Sequence, residues 1–130
     1  MNNTETIQAA YAAFGSGDIP GLLSHLDPNV QWDHAGPDTI PWAGSFRGHD
    51  GVVKFFTAIG ENADFISFEP RAFVAEGEKV IVLGHESIKH KGTGRGWETD
   101  WTHAFTLKDG KVTSFREYTD TATIADACRS

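Results

Sequence analysis

An Asp-Gly pair, Asp109-Gly110, lies between two runs of apolar and β-branched residues at 101–107 and 112–115. Asp-Gly is favoured in two-residue hairpin turns, because both central positions of the turn take positive φ angles. The sequence therefore predicts a β-hairpin at this point. The register of that hairpin decides which charged side chains share its buried face, since a shift of one residue moves every side chain to the opposite face.

Two registers are possible for this hairpin. A regular two-residue turn pairs His103 with Arg116 and sends Phe115 to the opposite face, because cross-strand partners share a face. A one-residue bulge at Thr113–Ser114 returns Phe115 and Glu117 to the face of His103. We predict the bulge, because it restores the two-residue alternation of apolar side chains. The open alternative is a flat hairpin in which Phe115 packs against a partner subunit.

Helical periodicity dominates the first half of the chain. Apolar residues at helical spacing predict a first helix, whose inner face carries Ile7, Ala10, Tyr11 and Phe14. A short second helix is predicted to begin at Asp18, with inward Leu22, Leu23 and Leu26. A third is predicted from about residue 50 to 59, with inward Val52, Val53, Phe55, Phe56 and Ile59. A last short helix is predicted over residues 122–128.

Strand patterns account for most of the remaining chain. A short strand is predicted at residues 30–34, followed by a Gly- and Pro-rich loop at 35–48 without regular structure. Four antiparallel strands separated by turns follow at 64–77, 79–92, 96–110 and 111–121. This order predicts a single α+β domain over residues 1–130, with three to four helices packed on a curved antiparallel sheet. A cone of this kind, the cystatin-like α+β barrel, can hold a ligand.

Charge and composition exclude several function classes. The formal net charge is −7, and the Lys and Arg residues are scattered, so neither nucleic acid nor an anionic membrane surface is an expected partner. The N-terminus lacks the basic and apolar regions of a signal peptide, and no apolar run approaches the length of a membrane span. Cys128 is the only cysteine, which excludes an intrachain disulfide. The predicted location is the cytoplasm.

Neither a metal nor a cofactor is predicted. His85-Glu86 followed by His90 resembles the zinc motif of metalloproteases, but the spacing is one residue too long, and on a strand the two histidines face opposite sides. The glycine-rich stretch at 92–96 joins two strands and opens no helix, so it lacks the usual basis for phosphate binding.

Aromatic residues supply a candidate ligand-binding wall. The chain contains four tryptophans, and Trp42 lies in the irregular loop, where an indole offers both apolar area and a polar N–H group. The residues predicted to contact a ligand are Trp32, Trp42, Phe55, Phe56, Trp97 and Trp101. Core packing alone is the open alternative for these side chains.

Three titratable residues are candidates for proton transfer. His34 follows Trp32 by two residues, so both side chains point the same way. His103 lies on the apolar face of the hairpin, and the predicted bulge brings Glu117 to it. Because histidine titrates near neutral pH, His34, His103 and Glu117 are the predicted catalytic residues. Asp120 precedes the last helix and is predicted to cap it.

Five segments resemble the nuclear-transport-factor-2-like superfamily, and within it the SnoaL-like and ketosteroid-isomerase-related proteins. They are AAYAAFGSGD (9–18), DPNVQWDH (27–34), FRGHDGVVKFF (46–56), THAFTLKDGKV (102–112) and REYTDT (116–121). The resemblance implies a cone-shaped α+β barrel with a pocket between sheet and helices, and often a homodimer formed through the open sheet. It specifies the fold well and the reaction poorly.

The resemblance also suggests roles for individual residues. In the steroid isomerases, the general base is an aspartate that ends the first strand, and His34 occupies that place. Their protonated oxyanion-hole aspartate matches His103, and their oxyanion tyrosine matches Ala10, with Tyr11 one residue off. The isomerase set is therefore not reproduced here.

The SnoaL-type polyketide cyclases use an acidic residue on the final strands, which corresponds to Glu117 or Asp120. The leading hypothesis is a cofactor-independent isomerase or cyclase, or a related hydrolase or dehydratase, acting beside a carbonyl of a compact apolar ligand. Glu117 or His34 would take the proton, and His103 would donate a hydrogen bond to the developing oxyanion. A binding domain for a hydrophobic ligand and a structural dimerisation domain are the alternatives.

Overall fold

The computed structural model describes residues 1–130 as four helices and six strands. In chain order they are α1 (Asn3–Gly15), α2 (Ile19–Leu23), β1 (Leu26–His34), β2 (Gly44–Arg47), α3 (Gly48–Asn62), β3 (Ala63–Glu76), β4 (Lys79–His90), β5 (Gly96–Lys108), β6 (Lys111–Thr119) and α4 (Thr121–Cys128). The six strands form one sheet in the order β2-β1-β6-β5-β4-β3. The α+β architecture predicted from the sequence is confirmed.

The first helix is fixed at its N-terminus by a reciprocal cap. The Asn2 side chain accepts a hydrogen bond from the Glu5 backbone N–H at 2.8 Å, and the Glu5 carboxylate accepts one from the Asn2 N–H at 3.0 Å. Both bonds satisfy backbone donors that have no partner within the helix. The helix buries Ile7 and Ala10 against the sheet, which turns Tyr11 toward the concave side.

The sheet is mixed and not purely antiparallel. Neighbouring strands run antiparallel except β1 and β6, which are parallel. The prediction of a fully antiparallel sheet was wrong at this one pair. The hairpins of the second half dictate the antiparallel pairs locally, whereas β1 reaches β6 from a distant part of the chain.

The hairpin of β5 and β6 contains the predicted bulge. Leu107 pairs with Val112 and Thr106 pairs with Ser114, so Thr113 has no partner on β5. Asp109 and Gly110 have φ angles of 52° and 77°, as a two-residue hairpin turn requires. Beyond the bulge, Phe105 pairs with Phe115 and His103 with Glu117.

Four local predictions were wrong. Leu26 begins β1 and does not lie in the second helix, because that helix ends at Leu23. The loop at 35–48 contains a strand, β2, which pairs with the end of β1. The third helix extends over Gly48–Asn62. Val53 is 41% exposed, because the inward stripe of that helix is set by Val52 and Phe55, and Val53 lies at its side.

The hydrophobic core lies between the concave face of the sheet and the helices. It joins aliphatic side chains of β1, β4, β5 and β6 with aromatic ones from α3 and from the segment before β2. No helix is both long and apolar enough to cross a membrane.

Candidate functional site

A cavity opens between the concave sheet face and helices α1, α2 and α3. The space inside it that the centre of a water molecule can occupy is about 70 Å³. Sixteen of its twenty lining residues are hydrophobic, so a ligand that fills it has a largely apolar surface. The other four are His34, Glu86, His103 and Glu117, and all four are buried.

Glu117 links the two histidines of the cavity. Its Oε1 lies 2.6 Å from His34 Nε2, and its Oε2 lies 2.7 Å from His103 Nε2. The sheet itself sets this arrangement, because Glu117 on β6 is the register partner of His34 on β1 and of His103 on β5. The structure therefore brings together the three residues that the sequence predicted as catalytic.

A phenol extends this row of hydrogen bonds. Tyr11 Oη lies 2.7 Å from His103 Nδ1. Burial raises the pKa of Tyr11 well above its usual range, and the negative charge of Glu117 adds to the effect. Tyr11 therefore stays protonated, and its O–H group donates a hydrogen bond to His103 Nδ1. Tyr11 was missed as a site residue, although its position on the inner face of α1 was predicted.

The ionisation of the two central groups follows from their surroundings. Burial alone would raise the pKa of Glu117, but the attraction of His34 and the hydrogen bonds from His103 and His34 outweigh it and hold the pKa well below its usual range. Burial lowers the pKa of His103 against the opposing effect of Glu117. We conclude that Glu117 is a carboxylate that accepts from both Nε2–H groups and that His103 is a neutral imidazole.

His34 is the only one of these groups with an unused ring nitrogen. Its Nδ1 is buried and has no hydrogen-bond partner in the protein. Because Nε2 donates to Glu117, a neutral His34 carries its free lone pair on Nδ1. A buried imidazole in the cavity lining, oriented by a carboxylate and with its second nitrogen free, is an arrangement that can take up a proton.

Two predicted roles do not agree with this geometry. His103 uses both ring nitrogens, one for Tyr11 and one for Glu117. In this arrangement it has no N–H free for a ligand oxyanion, and we therefore do not assign it that role. Both oxygens of Glu117 already accept hydrogen bonds, which weakens the carboxylate as a base.

Glu86 was missed as a site residue. It lies on the concave face of β4, where Trp97 Nε1 donates to its Oε2 at 2.7 Å. Burial, reinforced by the negative charge of Glu117, raises the pKa of Glu86 to about 7. The sequence contained a signal for its position, since Glu86 is an even number of residues from the apolar Val82 and Ile88 and therefore shares their face of the strand.

The predicted aromatic wall divides into two groups. Trp32, Trp42, Phe55 and Phe56 line the cavity, whereas Trp97 and Trp101 do not. Placing these last two tryptophans on the wall was a mistake, because alternation along a strand predicts the face of a side chain and not its depth.

Both tryptophans instead pack behind residues of the lining. Trp97 stacks on Trp42 with ring centroids 5.9 Å apart, and Trp101 stacks on His103 at 4.0 Å. They pack against residues of the lining and do not line the cavity themselves. Trp101 thereby fixes the ring plane of His103.

The remaining candidates lie outside the cavity. Asp120 caps α4 as predicted, since its Oδ1 accepts a hydrogen bond from the Thr123 N–H at 3.1 Å. No group of three or more His, Cys, Asp or Glu side chains is arranged to hold a metal ion. His85 and His90 lie on opposite faces of β4.

Comparison with solved structures supports the fold. An NTF2-like protein from Burkholderia xenovorans is 38% identical, with a TM-score of 0.90 over 98% of this chain and 95% of that one. TerC, co-crystallised with polyporic acid, is 30% identical, with a TM-score of 0.84 over 98% of each chain. An NTF2-like protein from Burkholderia thailandensis is 26% identical, with a TM-score of 0.91 over 100% of this chain and 99% of that one.

Comparison with curated proteins gave no match. The family model described as the SnoaL-like domain matches residues 7–115, which include α1 from Ile7 onward, the whole of β1 to β5, and β6 as far as Phe115. With its curved sheet, its packed helices and its NTF2-like structural neighbours, this chain belongs to the SnoaL-like domain family.

Proposed function

We propose that the cavity binds a compact, largely apolar organic molecule and that His34 moves a proton on it without a cofactor. The observation that carries this proposal is the free Nδ1 of His34, buried in the cavity lining while Nε2 is bound to Glu117. A structural imidazole in a core usually has partners for both of its nitrogens. Here a ligand atom would supply the missing one.

The proposed chemistry is proton abstraction beside a carbonyl. His34 Nδ1 takes the proton from carbon, the C–H electron pair moves toward the carbonyl carbon, and the carbonyl oxygen becomes an enolate oxygen. Glu117 stabilises the resulting imidazolium through its hydrogen bond to Nε2–H. Return of the proton from His34 to another carbon would complete an isomerisation. Attack of the enolate carbon on a second carbonyl would give a cyclisation, in which the new alkoxide oxygen takes the proton back from His34.

Tyr11 and His103 act as positioning residues in this scheme. The bond from Tyr11 fixes the tautomer of His103, and His103 holds the second oxygen of Glu117. Glu117 is thereby fixed on both sides and directs the ring of His34. TerC, crystallised with polyporic acid, supports binding of an organic ligand by a chain of this fold.

A ligand-binding domain without chemistry is the second candidate. The observation that favours it is the bond between His103 and Glu117, which satisfies both groups within the protein. In that case the Nδ1 of His34 would only accept a hydrogen bond from a bound hydroxyl or amide group. The two candidates differ in whether a bound carbonyl compound exchanges its α-protons.

Hydrogen–deuterium exchange separates the two. A panel of compact cyclic and aryl ketones is incubated in D₂O with wild-type protein, and loss of the α-proton signals is followed by NMR. We expect acceleration by the wild type and a loss of about 100-fold or more in His34→Gln, since a general base contributes about 10²–10⁴-fold. Exchange by His34→Gln at the wild-type rate would contradict the proposal, and binding without exchange would favour the second candidate.

His85→Gln is the matched control. His85 also contacts two carboxylates, Asp100 at 2.9 Å and Glu98 at 3.0 Å, but it lies on the convex face of the sheet. The same substitution there removes a histidine–carboxylate cluster without touching the cavity. We expect exchange at the wild-type rate in this variant.

We also propose that two copies of the chain pair through the convex face of the sheet. Leu83 and Tyr118 are 46% and 54% exposed there. They lie in one row across β4, β5 and β6, because Thr102 is the register partner of both. An apolar row on an open sheet face suits a self-complementary contact. Sedimentation equilibrium should show a dimer that Leu83→Asp converts to a monomer, and a monomeric wild type would contradict this proposal.

A further inference from the structure

We propose that Glu86 is a second polar anchor of the cavity, which binds a neutral carbonyl or hydroxyl oxygen of the ligand and makes the site selective against carboxylate ligands. The inference rests on the proposed ligand cavity and adds to it a specificity-determining residue. It does not depend on proton transfer by His34.

The geometry of Glu86 gives one occupied and one unoccupied oxygen. Trp97 Nε1 holds Oε2 at 2.7 Å, and Trp97 is itself stacked on Trp42, so the carboxyl group has a fixed orientation. The other oxygen makes no hydrogen bond within the protein, although Glu86 is only 5% exposed and lines the cavity. This oxygen is not among the fully enclosed polar atoms that lack a partner, so a ligand oxygen in the cavity can reach it.

Charge in the cavity decides which ligand atom fits. Glu117 on β6 is a carboxylate bound by His34 and His103, whereas Glu86 on β4 has only the neutral indole of Trp97 as a partner. Burial and Glu117 raise the pKa of Glu86 to about 7, against smaller opposing effects of the Trp97 hydrogen bond, His34 and His85. Below that pH, Glu86 is a neutral acid whose O–H group can donate to a ligand oxygen.

The same arrangement disfavours anionic ligands. A ligand carboxylate would enter an apolar enclosure that already contains the negative charge of Glu117 and a second carboxyl group. A carbonyl or hydroxyl oxygen brings no charge, and its burial with a hydrogen-bond partner costs far less than the burial of a carboxylate. The cavity therefore suits a neutral molecule whose polar oxygen meets Glu86.

Three probes of similar shape test this selectivity. They are 2-acetylnaphthalene, which has the oxygen, 2-isopropenylnaphthalene, which lacks it, and 2-naphthoate, which is charged. Binding at pH 6 is measured by calorimetry for wild type, Glu86→Leu, Glu86→Gln and the exposed control Glu76→Gln. In wild type and control, we expect the ketone to bind about 10-fold more tightly than either other probe, since 1.4 kcal/mol is a factor of ten.

The two cavity variants make the test specific. Glu86→Leu should lose the preference for the ketone over the alkene. Glu86→Gln keeps an N–H donor, so it should retain that preference at pH 6. If Glu86→Leu keeps the wild-type preference with an unchanged circular dichroism spectrum, Glu86 is not an anchor. If Glu86→Leu does not fold, the comparison is made at pH 8, where Glu86 in wild type is ionised and should lose the preference for the ketone while Glu86→Gln keeps it. The same preference in both proteins at pH 8 overturns the inference.

The outcome is distinguishable from that of the proton-transfer proposal. Loss of the preference for the ketone in Glu86→Leu, with no α-proton exchange by wild type, supports the anchor and overturns the proton transfer by His34. Exchange that depends on His34, with an unchanged preference for the ketone in Glu86→Leu, supports the proton transfer and overturns the anchor. If none of the probes binds to wild type, the inference fails together with the cavity on which it rests.

Discussion

His103 and Glu117 face each other across β5 and β6, with His103 Nε2 2.7 Å from Glu117 Oε2. The pair exists because Thr113 has no partner on β5, which shifts the second half of β6 by one residue. Without that shift, Arg116 would face His103 and Glu117 would point to the convex side. The bulge at Thr113 therefore determines that Glu117 lies in the cavity.

Deletion of Thr113 should abolish the fold. Removal of the bulge residue would turn Phe115 and Glu117 away from the core and bring Arg116 into it, at a cost of several buried contacts and an unpaired buried charge. Thr113→Ala keeps the backbone and loses only a 3.2 Å bond from Oγ1 to the Thr106 carbonyl, so it should cost about 1 kcal/mol. Urea denaturation measures both. A stably folded deletion variant would contradict this account of the bulge.

Tyr11→Phe should destabilise the protein by about 1–3 kcal/mol, because it leaves the buried Nδ1 of His103 without a donor. Tyr118 is the only other tyrosine and is 54% exposed, so Tyr118→Phe is the matched control and should change the free energy of unfolding by less than about 0.5 kcal/mol. Equal effects of the two substitutions would show that Tyr11 forms no significant bond to His103.

Gly84→Ala should be destabilising and Gly60→Ala should not. A methyl group at Gly84 would overlap the ring of Trp101, its register partner on β5, and overpacking of this kind costs about 1–3 kcal/mol. A methyl group at Gly60 on α3 would have no atom within 4 Å. Alanine stabilises a helix by about 0.5–1 kcal/mol relative to glycine. Thermal denaturation measures both changes. A stable Gly84→Ala protein would mean that Trp101 does not lie flat on β4.

The free energy of unfolding should fall as the pH rises from 5 to 8, because Glu86 ionises in the folded protein over this range. Its pKa is raised from an ordinary 4.5 to about 7, so in this window the folded state holds a proton that the unfolded chain has released. Stability therefore falls with rising pH, by at most about 3 kcal/mol at 1.36 kcal/mol per pKa unit.

Glu86→Gln removes this contribution. The difference in unfolding free energy between wild type and variant isolates it, and Glu76→Gln serves as the exposed control. Relative to Glu86→Gln, wild type should lose stability between pH 5 and pH 8. A difference that does not vary with pH would show that Glu86 is ionised throughout.

The hairpin was the most predictable part of the site. A break in two-residue alternation can be read from the sequence, and it places His103, Phe115 and Glu117 on one face. His34 could be placed on the inner side of β1 by its spacing from Trp32. The parallel pairing of β1 with β6 could not be predicted in this way, because no local signal connects strands so far apart in the chain.

The sequence did not reveal how deeply a side chain lies within the protein or how a helix is rotated over the sheet. The bond between Tyr11 and His103 joins residues 92 positions apart and depends on how α1 is rotated over the sheet. Trp97 and Trp101 lie on the predicted face but behind the cavity wall. Glu86 lies on the inward face of β4, as the alternation along the strand predicts. Its neighbour His85 makes the segment resemble a metal motif, which the strand geometry excludes.

The most direct test of the central claim is the protonation pattern of His34. Long-range ¹H–¹⁵N NMR spectra of uniformly labelled protein at pH 8, assigned with His34→Gln, distinguish a protonated from an unprotonated ring nitrogen. We predict that His34 carries its proton on Nε2, bound to Glu117, and that Nδ1 is unprotonated. A proton on Nδ1 with a bare Nε2 would contradict the proposed base and the carboxylate state of Glu117 together.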